Sequence, residues 1–187
     1  MRRQRLYIRS TLNYNGFPEF AESLGCNITA LREELDLGPE AFNRRVNIVS
    51  WNAICTLYER AASNIGDPIL GLRYALEAKP DFSGIGPVIY MGAVASDVRA
   101  FLKTAEQYQT IRTNGMRYTI EENPQTQESR SVYEIQPHSA PHRQVLENTV
   151  ALAALTARKL IPGFKVCLLY TSPSPRDATL SRMPSSA

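Results

Sequence analysis

Residues 65–91 read I-G-D-P-I-L-G-L-R-Y-A-L-E-A-K-P-D-F-S-G-I-G-P-V-I-Y-M, and the rest of the chain is organised around them. Asp67 followed by Pro68 predicts a helix start: a side-chain acceptor for the first free N–H groups, then a proline whose missing N–H costs nothing at the first helical position. Ile69, Leu72, Tyr74, Ala75 and Leu76 supply an apolar face broken by the charged Arg73 and Glu77. Lys79-Pro80 ends that helix, because the residue before a proline is pushed out of the α region. Gly84, Gly86 and Pro87 mark a tight turn into a second, mostly apolar segment at 88–95. Two short helices hinged on glycines form a packing unit. The stretch holds no nucleophile, metal cluster or phosphate loop.

Upstream of it, Asn15-Gly16-Phe17-Pro18 opens a short helix carrying Phe20, Ala21 and Leu24, and Gly25 stops it. Asn27 caps a second helix with Leu31 and Leu35 facing inward, and Gly38-Pro39 begins a short turn through Phe42. Ser50 caps a longer helix. Its residues Trp51, Ile54, Cys55, Tyr58, Ala61 and Ala62 fall at the i, i+3, i+4, i+7 spacing of a core face.

Downstream, Ser96 or Asp97 begins a helix with Val98, Phe101, Leu102 and Ala105 on one side, ending near Tyr108. The pattern changes at Gly115, read as a break between helix and strand. Met116, Tyr118 and Ile120 alternate with Arg117, Thr119 and Glu121, the period of a half-buried strand. A polar loop at 123–130 leads to a second strand at 131–136 with Tyr133 and Ile135 on one face, giving an antiparallel pair. Ser139-Ala-Pro141 starts the longest helix, to about Ile161, lined by Val145, Leu146, Thr149, Leu152, Ala153 and Leu160. Phe164-Lys165-Val166 reads as the start of another strand. The expected fold is α+β: a mainly helical single domain with a small antiparallel sheet.

The whole chain has 187 residues, 43% hydrophobic and 21% charged, which suits one globular domain with a core of its own. No apolar run approaches the ~20 residues that span a bilayer. The basic start M-R-R-Q-R lacks the apolar region and cleavage site of a signal peptide, so the expected location is cytoplasmic, with no membrane partner. A net charge of +3 is too small to argue for nucleic-acid binding by this region. Cys26, Cys55 and Cys167 are far apart and form no C-x-x-C, as free thiols in a reducing compartment would.

Residues 167–187, C-L-L-Y-T-S-P-S-P-R-D-A-T-L-S-R-M-P-S-S-A, resemble a translated transposase-type sequencing adapter. The match covers Cys167 to Asp177 and Ser181 to Ala187, on either side of the barcode position at 178–180. Serine and proline crowd this segment as in a disordered tail. Residues 1–166 are therefore read as the domain and 167–187 as a non-native tail, leaving a net +2 on the domain.

Catalytic chemistry finds no footing. His138 and His142 sit four apart, but His138 precedes the helix start and no carboxylate or cysteine completes a metal site. Glu33-Glu34 and Glu121-Glu122 are neighbours that point different ways, so neither is a catalytic dyad. There is no G-x-S-x-G, and the Gly84-Ile85-Gly86-Pro87 turn lacks dinucleotide-loop spacing. No enzyme, metal or cofactor is expected. The aromatics offer more: Trp51, Tyr58, Tyr74, Tyr90, Tyr108, Tyr118 and Tyr133 lie on or beside expected core faces, each pairing an apolar body with a polar tip. They suit either a small-molecule pocket or plain core packing.

The order of elements, with G-D-P-I-L-G-L-R-Y-A, F-S-G-I-G-P-V-I-Y, A-F-L-K-T-A-E-Q-Y and the following hairpin, resembles the N-terminal arabinose-binding-like domain of AraC/XylS-type transcription regulators. The subgroup is that of regulators of ornithine and arginine use. The resemblance covers residues 7–166. It implies an effector-binding and dimerisation domain, a homodimer, and a small-molecule effector such as an amino acid or related metabolite. It also implies a C-terminal pair of helix-turn-helix motifs that binds DNA and is missing from this sequence. The candidate pocket residues are Trp51, Tyr58, Tyr74, Tyr90 and Tyr118, with Arg73 as an anion partner if it turns inward. The competing readings are a pure dimerisation module without a pocket, and a cofactor-bound sensor or an enzyme using the histidines.

Overall fold

The computed structural model describes residues 5–9, 16–42, 47–77, 94–125, 128–137 and 139–160. Its elements run β1 (Tyr7–Arg9), α1 (Phe17–Ser23), α2 (Ile28–Glu34), a 3-10 turn (Pro39–Phe42), β2 (Ile48–Ser50) and α3 (Trp51–Ile65). Then come α4 (Leu70–Glu77), α5 (Val98–Tyr108), a 3-10 turn (Gln109–Ile111), β3 (Met116–Asn123), β4 (Glu128–Ile135) and α6 (Arg143–Leu160). The fold is α+β, mainly helical, with two small antiparallel sheets, β1-β2 and β3-β4.

Helix α3 is the centre. It packs against α2, α4 and α6 and against both strands of the first sheet. Ser50 caps it by accepting from the Ala53 N–H, and Gly66, left-handed at φ 75°, closes it. Trp51, Ile54, Cys55, Leu57, Tyr58, Ala61 and Ala62 are all buried, so its 3.6-residue period is filled. Asn27 caps α2 through Ala30 N, and Gly25 at φ 87° follows the C-cap Leu24 of α1, both as expected. Asp97 caps α5 through Ala100 N.

Three boundaries differ from expectation. Asp67 Oδ1 accepts from Ile69 N at 3.0 Å, but this closes a turn rather than opening the helix, and α4 begins at Leu70. The buried face of α4 therefore shifts to Leu70, Gly71, Tyr74 and Ala75, while Ile69 and Leu76 are exposed and Leu72 is half-buried. The second strand starts at Glu128 rather than 131, because pairing continues through Glu121↔Arg130 and Asn123↔Glu128. The last helix starts at Arg143 rather than Ser139, and Ala153 is exposed on it. The first sheet was not anticipated: β1 and β2 are three residues each, too short for a periodic signal. The expected second helix at 88–95 and the strand start at 164–166 lie largely or wholly outside the described residues.

Strand β1 is fixed on its other side by the segment after α5. Tyr7 N donates to Asn114 Oδ1 at 2.7 Å, and Tyr7 O accepts from Thr113 Oγ1 at 2.6 Å. Arg9 N donates to Arg112 O at 2.9 Å. Ile8, fully buried, thus joins the helical core to the root of the β3-β4 hairpin.

Candidate functional site

Two of the candidate pocket residues come together. Tyr58 projects from α3 and Tyr74 from α4; both meet Phe17 of α1, and Tyr74 also meets Phe20. Phe17 and Tyr58 stack with ring centroids 3.6 Å apart and planes 11° from parallel. Tyr74 stands edge-on to Phe17 at 5.5 Å and tilted to Phe20 at 5.2 Å, and lies 6.5 Å from Tyr58. The Tyr74 pairs are the edge-on and tilted arrangements that aromatic quadrupoles favour, whereas Phe17 and Tyr58 lie almost directly face to face. Phe17 and Tyr58 are fully buried, whereas Phe20 is half-buried. The Tyr74 hydroxyl reaches Gly16, where an added Cβ would stand 3.3 Å from it.

The other candidates lie elsewhere. Trp51, fully buried at the start of α3, lays its indole against Gly115, with no room for a side chain there. Tyr118 on β3 faces Tyr133 on β4 at 5.0 Å, and its hydroxyl shares a 3.1 Å hydrogen bond with Ser131 Oγ. Burial pushes both phenol pKa values up, Tyr133 further than Tyr118. Arg73 faces solvent. Its Nε binds Glu77 Oε1 at 3.0 Å and its Nη1 lies 3.4 Å from Asp67 Oδ2, bonds that raise its pKa further. Tyr90 lies outside the described residues.

The root of the β3-β4 hairpin carries a second polar device. The Gln109 side chain donates from Nε2 to Tyr118 O at 2.8 Å and accepts from Tyr118 N through Oε1. Glu106 Oε1 accepts from Ile120 N at 3.3 Å. Side chains from the end of α5 and the turn after it therefore cover the outer edge of β3.

Open space lies away from the aromatics. A groove of about 220 Å3 runs between residues 35–41 and β2, lined among others by Arg5, Asp36, Glu40, Asn47 and Ser50. Sequence reasoning missed it because Asp36, in a left-handed turn at φ 53°, and Arg5 belong to no periodic element. Among the described residues no cluster of histidine, cysteine and carboxylate could hold a metal ion. His142 Nδ1 sits 2.9 Å from Ala140 O in the turn before α6, and His138 lies outside the described residues. Cys26 and Cys55 are free and buried, and burial raises the Cys55 thiol to about 12. Among the described residues no helix is long and apolar enough to cross a membrane.

None of the curated proteins compared with the chain matches it. The family model for the arabinose-binding domain of AraC transcription regulators, the N-terminal domain, matches residues 25–183. That span takes in α2 through α6, the aromatic cluster except for its α1 members, and both edges of the hairpin. The chain belongs to the AraC-regulator N-terminal arabinose-binding domain family.

Proposed function

We propose that this chain is the effector-sensing and dimerisation part of a cytoplasmic one-component transcription regulator, acting on DNA through a helix-turn-helix domain outside this sequence. The family match over residues 25–183 carries the reading, because the family is that of the regulatory, ligand-binding N-terminal domain. Effector binding acts by favouring one arrangement of the regulator, which requires unequal affinity for two states.

The aromatic cluster is the proposed effector contact. Tyr58 and Tyr74 form its centre, and the half-buried Phe20 is the ring that meets solvent. Trp51 and Tyr118 frame the helical core and the hairpin on either side of Gly115, and Tyr90 completes the proposed set. Arg73 serves an anionic effector by exchanging Asp67 or Glu77 for it. An amino acid or related metabolite suits such a site, with apolar body against the rings and carboxylate on the guanidinium.

The close Phe17–Tyr58 stack favours the second reading, a dimerisation module whose aromatics only pack. A thermal-shift screen of amino acids, polyamines, sugars and aromatic acids separates the two. A ligand at 100 times its Kd adds about 2.7 kcal/mol to native stability. The sensing reading expects one class to raise Tm, with a smaller rise in Arg73→Ala and Tyr74→Phe. No shift with any class, in a chain that still dimerises, leaves the packing module.

A further inference from the structure

The two edges of the β3-β4 hairpin are treated very differently. On β3, Tyr118 N and O both go to the Gln109 side chain and Ile120 N goes to Glu106, so the outer edge is occupied. In an antiparallel ladder a residue's N–H and C=O point the same way. Tyr118↔Tyr133 is therefore a non-hydrogen-bonded pair, and Tyr133 turns its own N–H and C=O away from β3. By the same alternation so do Ser129, Ser131 and Ile135. Among the described residues nothing bonds that edge. Ser129, Arg130, Ser131 and Glu134 are exposed, and Pro137, which has no N–H, stands just past its end.

We propose that the outer edge of β4 pairs antiparallel with β4 of a second copy of this chain, about a two-fold axis at Val132, making a continuous four-stranded sheet. This rests on the dimerisation reading above and names the surface it uses. The backbone alternation allows only pairings of outward residue with outward residue, so the axis must pass through a residue and not between two. With the axis at Val132, Ser131 exchanges hydrogen bonds with the second copy's Tyr133, and Ser129 with its Ile135. That is on the order of eight backbone hydrogen bonds over both halves.

Charge selects this register. Arg130 and Glu134 flank Val132 at equal distance, so each Arg130 lies directly across from a Glu134. Because Arg117 already faces Glu134 and Glu121 faces Arg130, the solvent face gains a row that alternates in sign across all four strands: Arg117, Glu134, then Arg130 and Glu121 of the second copy. The row between is Thr119, Val132, Val132, Thr119, β-branched throughout. An axis at Arg130 sets arginine against arginine. Axes at Ser131 or Tyr133 put Val132 opposite one charge and leave both charges unmatched.

The test uses the full chain with Cys167→Ser, since Cys26 and Cys55 are buried. In the proposed register the two Val132 residues form a non-hydrogen-bonded pair, about 4.5 Å between Cα atoms, within disulfide reach. Val132→Cys is expected to cross-link to a dimer under mild oxidation, and Thr119→Cys on the covered strand is not. Sedimentation at low salt is expected to show Arg130→Glu and Glu134→Arg each weakening self-association about tenfold or more, and an equimolar mixture of the two recovering it. In the mixture every cross-copy pair is again opposite in charge. Amide exchange at Ser131 and Tyr133 is expected to be slow in the dimer and fast on dilution. A dimer that ignores both charge reversals and does not cross-link overturns the β4 edge while leaving dimerisation standing. A chain that is monomeric at all concentrations overturns both readings. Slow exchange at Ser131 in such a monomer shows that the chain's own residues cover the edge.

Discussion

Gly71 on α4 and Gln144 on α6 meet so closely that a methyl group on the glycine would overlap the Gln144 carbonyl. Around this contact the two helices are tied by side-chain amides. Gln144 Oε1 accepts from Gly71 N at 2.8 Å and its Nε2 donates to Pro68 O at 2.8 Å. Asn148 Nδ2 donates to Gly71 O at 3.1 Å. The Gly71 N–H is one of the first-turn donors that a helix leaves without an internal partner. Here a residue 73 positions away caps it, in place of the local cap that Asp67 was expected to supply.

Gly71→Ala is expected to destabilise the domain by about 1–3 kcal/mol, the cost of forcing extra volume into a packed contact. Gln144→Leu is expected to cost about as much by another route: it fills the space but strands the buried Gly71 N–H and removes the partner of the Pro68 carbonyl. Urea unfolding checks both. A Gly71→Ala protein as stable as the parent would show that α4 and α6 can separate at no cost.

Gln109→Leu removes the side chain that imitates a neighbouring strand at Tyr118. The expected loss is about 1–3 kcal/mol for two backbone groups left unpaired, concentrated in the hairpin. Amide exchange at Tyr118 and Ile120 is expected to accelerate, while amides in α3 keep their protection. Uniform acceleration across the protein would instead mean that the hairpin and the helices unfold as one unit.

Elements with strong local chemistry were legible in the sequence. Ser50, Asn27 and Asp97 cap where their side chains predict, and α3 buries every residue its period marks. The hairpin alternation at Met116, Tyr118 and Ile120 is equally direct, with Arg117 and Glu121 exposed between them. What escaped is whatever another part of the chain decides. Asp67-Pro68 looks like a helix start, yet Gln144 binds Pro68 O and Gly71 N and fixes the first turn further on. Gln144 and Asn148 on α6, which no apolar period marks, are buried because their partners are the backbone groups of Pro68 and Gly71. At the candidate site the residue types were readable and their grouping was not: nothing local says that Tyr58 and Tyr74 meet while Trp51 sits on Gly115.

Trp51 is the only tryptophan in the chain, so its fluorescence reports on one contact. The fully buried indole is expected to emit well to the blue of the unfolded protein. Gly115→Ala pushes a methyl group into the ring and is expected to shift emission to the red and cost about 1–3 kcal/mol. Unchanged emission in a folded Gly115→Ala protein would rule out the Trp51–Gly115 contact.

Cys55 gives the fold a defined alkaline limit. Burial first, and then the nearby Glu59 carboxylate, raise its thiol from 9.0 to about 12. The native state thus holds the thiol proton more tightly than the unfolded chain does. Its contribution is complete below pH 9 and is lost as pH rises from there towards 12, with a limiting slope of about 1.4 kcal/mol per pH unit. Cys26, Tyr118 and Tyr133 are shifted up as well and add loss of the same sign. Subtracting the stability of Cys55→Ala from that of the parent at each pH isolates the Cys55 part. That difference is expected to be flat from pH 7 to 8.5 and to fall above 9. The same burial predicts that Cys55 reacts with a thiol reagent at pH 8 only as fast as the domain opens, and urea below the unfolding midpoint is expected to speed it. Reaction at the rate of a free peptide thiol would mean that α3 does not seal this face of the core.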